Sequence, residues 1–313
     1  MVQKRKLDLI SVELLTLIYM GVTLLMTLIY WNGLENPVGM VMLRVVVLAV
    51  MAVTQLTHRF MSKKLALAWR TFPLLICLIW WYPETYDFCS QLPYKDHIFA
   101  SIDQTLFGCQ PALEFDKILS SAFWSEAFNM GYYAYYYMMM SVIVFYLIFR
   151  MREFDKATFI FLGSFFLFYL IYELLPVAGP QYYFCALGNI YGDGGWGNSF
   201  PDLGHYFKEH TEMLTPDIKG IFSQLVIGAQ EVGERPTAAF PSSHVGMSTV
   251  SMLLAWRSGN KWLFWVMMPF YVLLCCGTVY IKAHYLIDSI AGFFFALLFY
   301  YLTNRVYPIV MRK

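Results

Sequence analysis

The chain has 313 residues, 59% hydrophobic and 14% charged, with a net charge of +1 and a mean hydropathy of +0.53. A soluble domain carries about 25% charged residues, so this composition excludes one. A nucleic-acid partner needs a clustered basic face, and the charge balance gives that reading no support.

The opening MVQKRK precedes LDLISVELLTLIYMGVTLLMTLIY. That apolar part exceeds the roughly 7–15 residues of a signal peptide and has no A-x-A-like site, so it reads as an uncleaved helix. Crossing the ~30 Å bilayer core takes about 20 mostly apolar residues. Stretches of that kind predict helices over 8–30, 38–57, 65–82, 131–149, 157–176, 238–256, 262–281 and 284–302. The breakers WNGLENP, HRFMSKK, RMREFDK and RSGNK separate them. The expected fold is all-α, a polytopic membrane protein of about eight transmembrane helices, with no internal repeat.

Orientation follows from Lys and Arg. With the N-terminus inside, the inner segments hold Lys4, Arg5, Lys6, Arg59, Lys63, Lys64, Arg150, Arg152, Lys156, Arg257, Lys261, Arg305, Arg312 and Lys313, which is 14 of the 22. The longer outer segments hold Lys95, Lys117, Lys208, Lys219, Arg235 and Lys282, and Arg44 and Arg70 lie in or near helices. Both termini are therefore expected in the cytoplasm.

Two outer segments are long. Residues 83–130 contain DHIFASIDQTLFGCQPALEFDKILSSAF, whose apolar spacing suits a short helix lying on the membrane surface. Residues 177–237 read as a connecting loop, with a cover over a site as the alternative. Their cluster GNIYGDGGWGNSFP lacks the G-x-x-x-x-G-K-[ST] arrangement and is not a Walker A loop. Cys89, Cys109 and Cys185 fall outside, and Cys77, Cys275 and Cys276 within helices. Proximity in sequence makes Cys89–Cys109 the candidate disulfide, and the odd outer count leaves at least one free thiol.

The sixth helix opens at AAFPSSHVG and the eighth at KAHYLIDSIAG, both on the outer face. Ser242, Ser243, His244, Lys282, His284 and Asp288 are thus expected at one depth. An Asp in mid-helix costs roughly 2.5–3.5 kcal/mol on insertion scales, so such groups face a cavity and a partner. His284 and Asp288 are four apart and share a helix face. A carboxylate there takes the proton of one imidazole nitrogen and leaves the other nucleophilic. Pro241 suits a first helical turn, where unpaired N–H groups bind phosphate-like anions. Ser242 and Ser243 add hydroxyls, Arg235 and Lys282 add positive charge, and His244 supplies an acid for a leaving oxygen, worth about 10²–10⁴-fold in rate.

Each piece has a plainer reading: an interhelical polar contact for His284 and Asp288, a helix cap for PSSH, a snorkelling Lys282, a solvated Arg235. Together on one face they point to phosphoryl transfer through a phosphohistidine.

FPSSHVG and KAHYLIDSIAG resemble the second and third signatures of the type 2 phosphatidic acid phosphatase (PAP2) superfamily. Those signatures read Pro-Ser-Gly-His, and Ser-Arg, five residues, His, three residues, Asp, and open the fourth and sixth helices of a six-helix core. The resemblance implies two transmembrane helices over 1–64, a catalytic core over 65–302 and a cytoplasmic tail over 303–313. It also implies His284 as nucleophile, Asp288 as its orienter and His244 as the acid, with no metal or cofactor. The partners it implies are a lipid phosphate, a water or alcohol acceptor, and the bilayer.

The chain also departs from the pattern. Ser243 replaces the glycine, and Gly277 and Thr278 stand where Ser-Arg is expected, so Lys282 is the candidate replacement charge. The first signature, Lys, six residues, Arg-Pro, belongs at the end of the fifth helix, where YELLPVAGPQYYF has no basic residue but holds Glu173 and Gln181. Gln181 is taken as a substrate-binding candidate, and Arg235 is assigned to phosphate. A clamp poor in Arg and Lys is similar to the inositol-phosphorylceramide-synthase branch, which moves a phospho-headgroup between lipids.

Two other readings compete. A transporter would use Arg44 and Glu173 as intramembrane charges on a solute path. Metal hydrolysis would use His205, Glu209 and His210 with the site histidines His244 and His284, although HYFKEH does not fit H-E-x-x-H.

Overall fold

The computed structural model describes residues 9–192, 194–214 and 220–311. Lys4, Arg5, Lys6, Lys219, Arg312 and Lys313, which enter the charge count above, lie outside the described residues. Among those described, thirteen α-helices follow one another: α1 (Ser11–Ile29), α2 (Pro37–Thr57), α3 (Lys63–Ile76), α4 (Leu78–Cys89), α5 (Asp96–Phe107), α6 (Pro111–Ile118), α7 (Ala122–Phe149), α8 (Met151–Leu174), α9 (Pro180–Tyr191), α10 (Ile221–Gly233), α11 (Ser243–Arg257), α12 (Lys261–Tyr280) and α13 (Leu286–Val310). Seven helical stretches are long and apolar enough to cross a bilayer, with α3 and α4 forming one of them, Lys63–Cys89, bent at Cys77 between Pro73 and Pro83.

Helix starts follow their capping residues. Asn36 accepts from Gly39 N–H ahead of α2, Ser62 from Leu65 N–H ahead of α3, and Asn260 from Leu263 N–H ahead of α12. The bundle is organised around α8, which has 78% of its apolar stretch buried against 28–44% for the other candidates. Beside it stands α11, whose face of Val245, Met247, Val250 and Leu254 is fully enclosed. At 15 residues α11 is too short to cross alone, spanning about 22 Å at 1.5 Å per residue. It is not among the seven candidate spans, and it is preceded by the irregular segment 236–241. Backbone without helical bonds is tolerated at that level only inside protein, and Thr237, Ala238 and Ala239 are buried.

The two N-terminal spans are tied on by polar contacts rather than by apolar packing alone. Arg70 of α3 pairs with Glu13 of α1, and Arg44 of α2 makes a two-pronged pair with Glu84 of α4 at 2.8 and 3.0 Å. Tyr19 donates to Glu173 of α8 at 2.7 Å. The two charges singled out for a solute path are thus each engaged in a contact between helices.

Several boundaries differ from expectation. α7 begins at Ala122 rather than 131, and α13 continues to Val310, so most of the expected tail is helix. The segment 83–130 carries two short helices, α5 and α6, and 177–237 carries α9 and α10 in place of plain loop. All six cysteines are free. The Cys89–Cys109 disulfide does not form, because Cys89 is enclosed and its thiol turns to Thr237 Oγ1 at 3.2 Å.

Candidate active site

The starts of α11 and α13 meet under a roof made by α5, α9 and α10. Ser242 caps α11, its hydroxyl accepting from Val245 N–H at 3.4 Å, and its own N–H donates to the Asp288 carbonyl of α13 at 3.0 Å. Close approach is possible because Gly292 faces Ser242: a Cβ there would lie 2.3 Å from the Ser242 carbonyl oxygen. This packing brings His244 to His284, with Nδ1 of the former 3.3 Å from Nε2 of the latter. Two imidazoles from distant parts of the chain thus share one site.

The proton placement follows from the partners. His284 Nδ1 lies 2.8 Å from the carbonyl oxygen of Ala239, which can only accept. Nδ1 therefore carries the hydrogen, and Nε2 presents a lone pair toward His244. His284 is 3% exposed, and burial pushes its imidazole down to about 4, partly opposed by the Ala239 carbonyl. It is neutral at pH 7. His244 is walled by aromatic rings, stacking on Tyr132 at 4.4 Å and lying 4.6 Å from Tyr135.

Asp288 does not sit where the sequence placed it. Its Oδ2 is 3.9 Å from His284 Nδ1, beyond hydrogen-bond reach, and takes the backbone N–H of Tyr285 at 2.9 Å instead. The reason is the helix start: Asp288 is the third residue of α13, placed to close back on the N-cap. Ala239 orients the ring, and Asp288 contributes as a fully buried acid close behind it.

The two expected cations are each engaged within the protein. Lys282 pairs with Asp116 of α6 and holds a left-handed φ of +65°. Arg235 is exposed and donates to the Glu234 carbonyl at 3.0 Å. Ser243 is buried beside His244. Gly277 lets α12 pack on α7, since a Cβ would meet the Phe128 carbonyl at 2.7 Å, and Thr278 bonds Ser289 at 2.9 Å. The positions of the missing Ser-Arg pair are therefore spent on helix packing.

Gln181 lies beside a cavity of about 270 Å³ on the same face, lined also by Asn129, Gln230, Asp116 and Lys282. Its amide donates to Glu234 at 2.6 Å and accepts from Gln230 at 3.4 Å. Burial pushes the Glu234 carboxyl up, with the two amides partly offsetting it. Neither histidine lines this cavity, but Val226, which does, packs with Tyr132 and Ala283 next to the pair.

Sequence reasoning missed the Ala239 carbonyl, the tyrosine wall, Glu234, and two acids of α5. A backbone carbonyl leaves no mark in a sequence. Asp96 and Asp103 did leave one, since they share the buried face of α5 with Phe99 and Ala100 at helical spacing.

A family model described as the PAP2 superfamily matches residues 98–302. The chain belongs to the PAP2 superfamily. Membership makes the all-helical bundle a multi-pass membrane protein and supports a phosphatase-type function. The PAP2 match begins after the bent third span and ends inside α13. No curated protein and no solved structure matches the chain.

Proposed function

We propose that the protein is a lipid phosphatase or phosphotransferase that works through a phosphohistidine on His284, at the extracytoplasmic face. The observation that carries this reading is the 3.3 Å contact between His284 Nε2 and His244 Nδ1, with His284 Nδ1 committed to Ala239.

In the reaction, the Nε2 lone pair attacks phosphorus and the bond to the lipid oxygen breaks. The step requires His244 to take up a second proton together with the substrate; it then gives its Nδ1 proton to the departing alkoxide and becomes neutral. A water or alcohol then attacks phosphorus while His244 takes its proton. The N–P electron pair returns to Nε2, and the phosphate product leaves. The start of α11 directs the positive end of its dipole at the developing charge. Replacing His284 by Ala should abolish both turnover and an acid-labile phosphoenzyme, and an unimpaired variant would overturn the assignment.

A second reading, transfer of a phospho-headgroup, is favoured by the Lys282–Asp116 pair. A lysine already neutralised by a carboxylate suits a phosphodiester, with one negative charge, better than a monoester with nearly two. Incubating purified protein with phosphatidate, isoprenyl diphosphate, phosphatidylinositol and ceramide separates the readings. Inorganic phosphate marks hydrolysis, and a new phospholipid without phosphate release marks transfer.

A further inference from the structure

We propose that Asp103 and Asp96 of α5 are positioning residues for the His284 nucleophile, an inference that rests on the phosphohistidine reading. The first N–H groups of any helix lack an internal partner. In α13, which starts two residues after His284, the N-cap Tyr285 has no side-chain cap bond. Asp103 takes over: Oδ2 accepts from Leu286 N–H at 2.8 Å and Oδ1 from Ile287 N–H at 3.0 Å. The carboxylate comes from another element and fixes the histidine-bearing segment from its C-terminal side.

Asp96, two turns earlier on the same face, repeats the arrangement on the facing segment. It accepts from Ala178 N–H at 2.9 Å and Gly179 N–H at 2.8 Å, and Tyr285 Oη donates to it at 3.2 Å. Val177, next to that pair, accepts from Ala239 N–H at 3.1 Å. Ala239 is the residue whose carbonyl orients His284. Asp103 thus holds the backbone that carries the ring, and Asp96 holds the segment that holds its acceptor. The seven-residue spacing along one rigid helix, about 10 Å, sets the distance between them.

Both acids are fully buried, and among the described residues neither has a cation as its partner. A neutral Ser or Thr cap would satisfy a helix start without burying a charge. Two carboxylates here give shorter, stronger charge-assisted bonds, which suits a segment whose position matters to a fraction of an ångström. Asn in either place keeps one acceptor and turns an NH₂ against the other backbone N–H.

The test uses the full-length protein in membranes or nanodiscs. Asp103→Asn and Asp96→Asn are each expected to lower kcat and the rate of phosphoenzyme formation by about 100-fold, with KM within about threefold of wild type. Asp103→Ser, which keeps one acceptor without an NH₂ turned against the other N–H, should recover part of that loss. Folded variants with unchanged kcat would overturn the proposal. If the variants do not accumulate, hydrogen exchange on the wild-type protein decides: the peptide over 283–288 should exchange only as slowly as the bundle core, and exchange at loop rates overturns the proposal. His284→Ala in the same assay separates the two claims. If it remains active the nucleophile assignment falls, whereas an inactive H284A with a fully active D103N removes the positioning role alone.

Discussion

Gly292→Ala is a one-carbon change that should open the histidine pair. The added Cβ would sit 2.3 Å from the Ser242 carbonyl oxygen and 3.2 Å from its carbon, against an ordinary contact distance of 3.4 Å or more. The obstacle is backbone, so no side chain can swing aside, and Ser242 must move by about 1 Å. Ser242 is bonded to α13 one turn earlier, at the Asp288 carbonyl, and is followed two residues later by His244. The displacement therefore passes into the 3.3 Å contact between the imidazoles. A misplacement of about 1 Å costs on the order of 100-fold in rate, and overpacking costs roughly 1–3 kcal/mol of stability. The assay is kcat for phosphate release or transfer beside thermal unfolding, with Gly228→Ala as control. Gly228 lies in α10, where an added methyl group would meet nothing within 4 Å, so that variant should keep its activity. If G292A turns over within about threefold of G228A, the close packing of α13 on Ser242 does not set the catalytic geometry.

Three further outcomes are expected. Glu84→Ala leaves the Arg44 guanidinium buried without its carboxylate and should cost about 3–5 kcal/mol, read as a fall in Tm, while replacing both partners by apolar residues restores most of it. Because His284 is held near 4, the neutral nucleophile persists in acid, so the acid limb of kcat/KM should fall close to pH 4 rather than near 6.5; a limb centred at 6.5 on the free enzyme would contradict the burial argument. Burial pushes the Asp96 carboxyl up to about 6, partly offset by the Ala178 and Gly179 N–H groups and Tyr285. The native state then takes up this proton before the unfolded chain does, so Asp96 disfavours folding above pH 6 and that penalty fades as pH falls from about 6 toward 4. Wild type should gain Tm relative to Asp96→Asn over that interval, and a parallel pair of curves would refute it.

What could be read in the sequence divides along a physical line. Spans such as α2 and α8 were readable because length and apolarity alone define them. The histidines stood out because a polar side chain at membrane depth needs a reason. Their helpers were harder to see. Lys282 read as an unpaired charge because its partner, Asp116, lies 166 residues away in a segment read only as a surface helix. Asp288 looked like the orienter because spacing of four is a helical rule, whereas His284 precedes the helix and its ring follows the path of a loop. The C-terminal limit failed for a simpler reason: polar Asn304 and Arg305 ended the apolar run, yet the helix continues, with Asn304 accepting from Arg257 of α11 at 2.7 Å.

The site occupies a region where this bundle abandons helical hydrogen bonding. Three irregular segments, 176–179, 237–242 and 281–285, meet there, and their backbone groups pair with one another and with the adjoining helices. Ala239 N–H goes to Val177, Gln181 N–H to Lys282, Ser242 N–H to Asp288 and His284 N–H to Thr278. Such backbone survives near lipid only when every group is paired within the protein, so the segments cannot shift independently. That interdependence makes the geometry costly to disturb, as with Gly292. It also explains why acids on a peripheral helix are fastened to it. A phosphoryl-transfer centre needs preorganised donors and a fixed nucleophile, and here the requirement that forbids unpaired backbone in the bilayer supplies the rigidity.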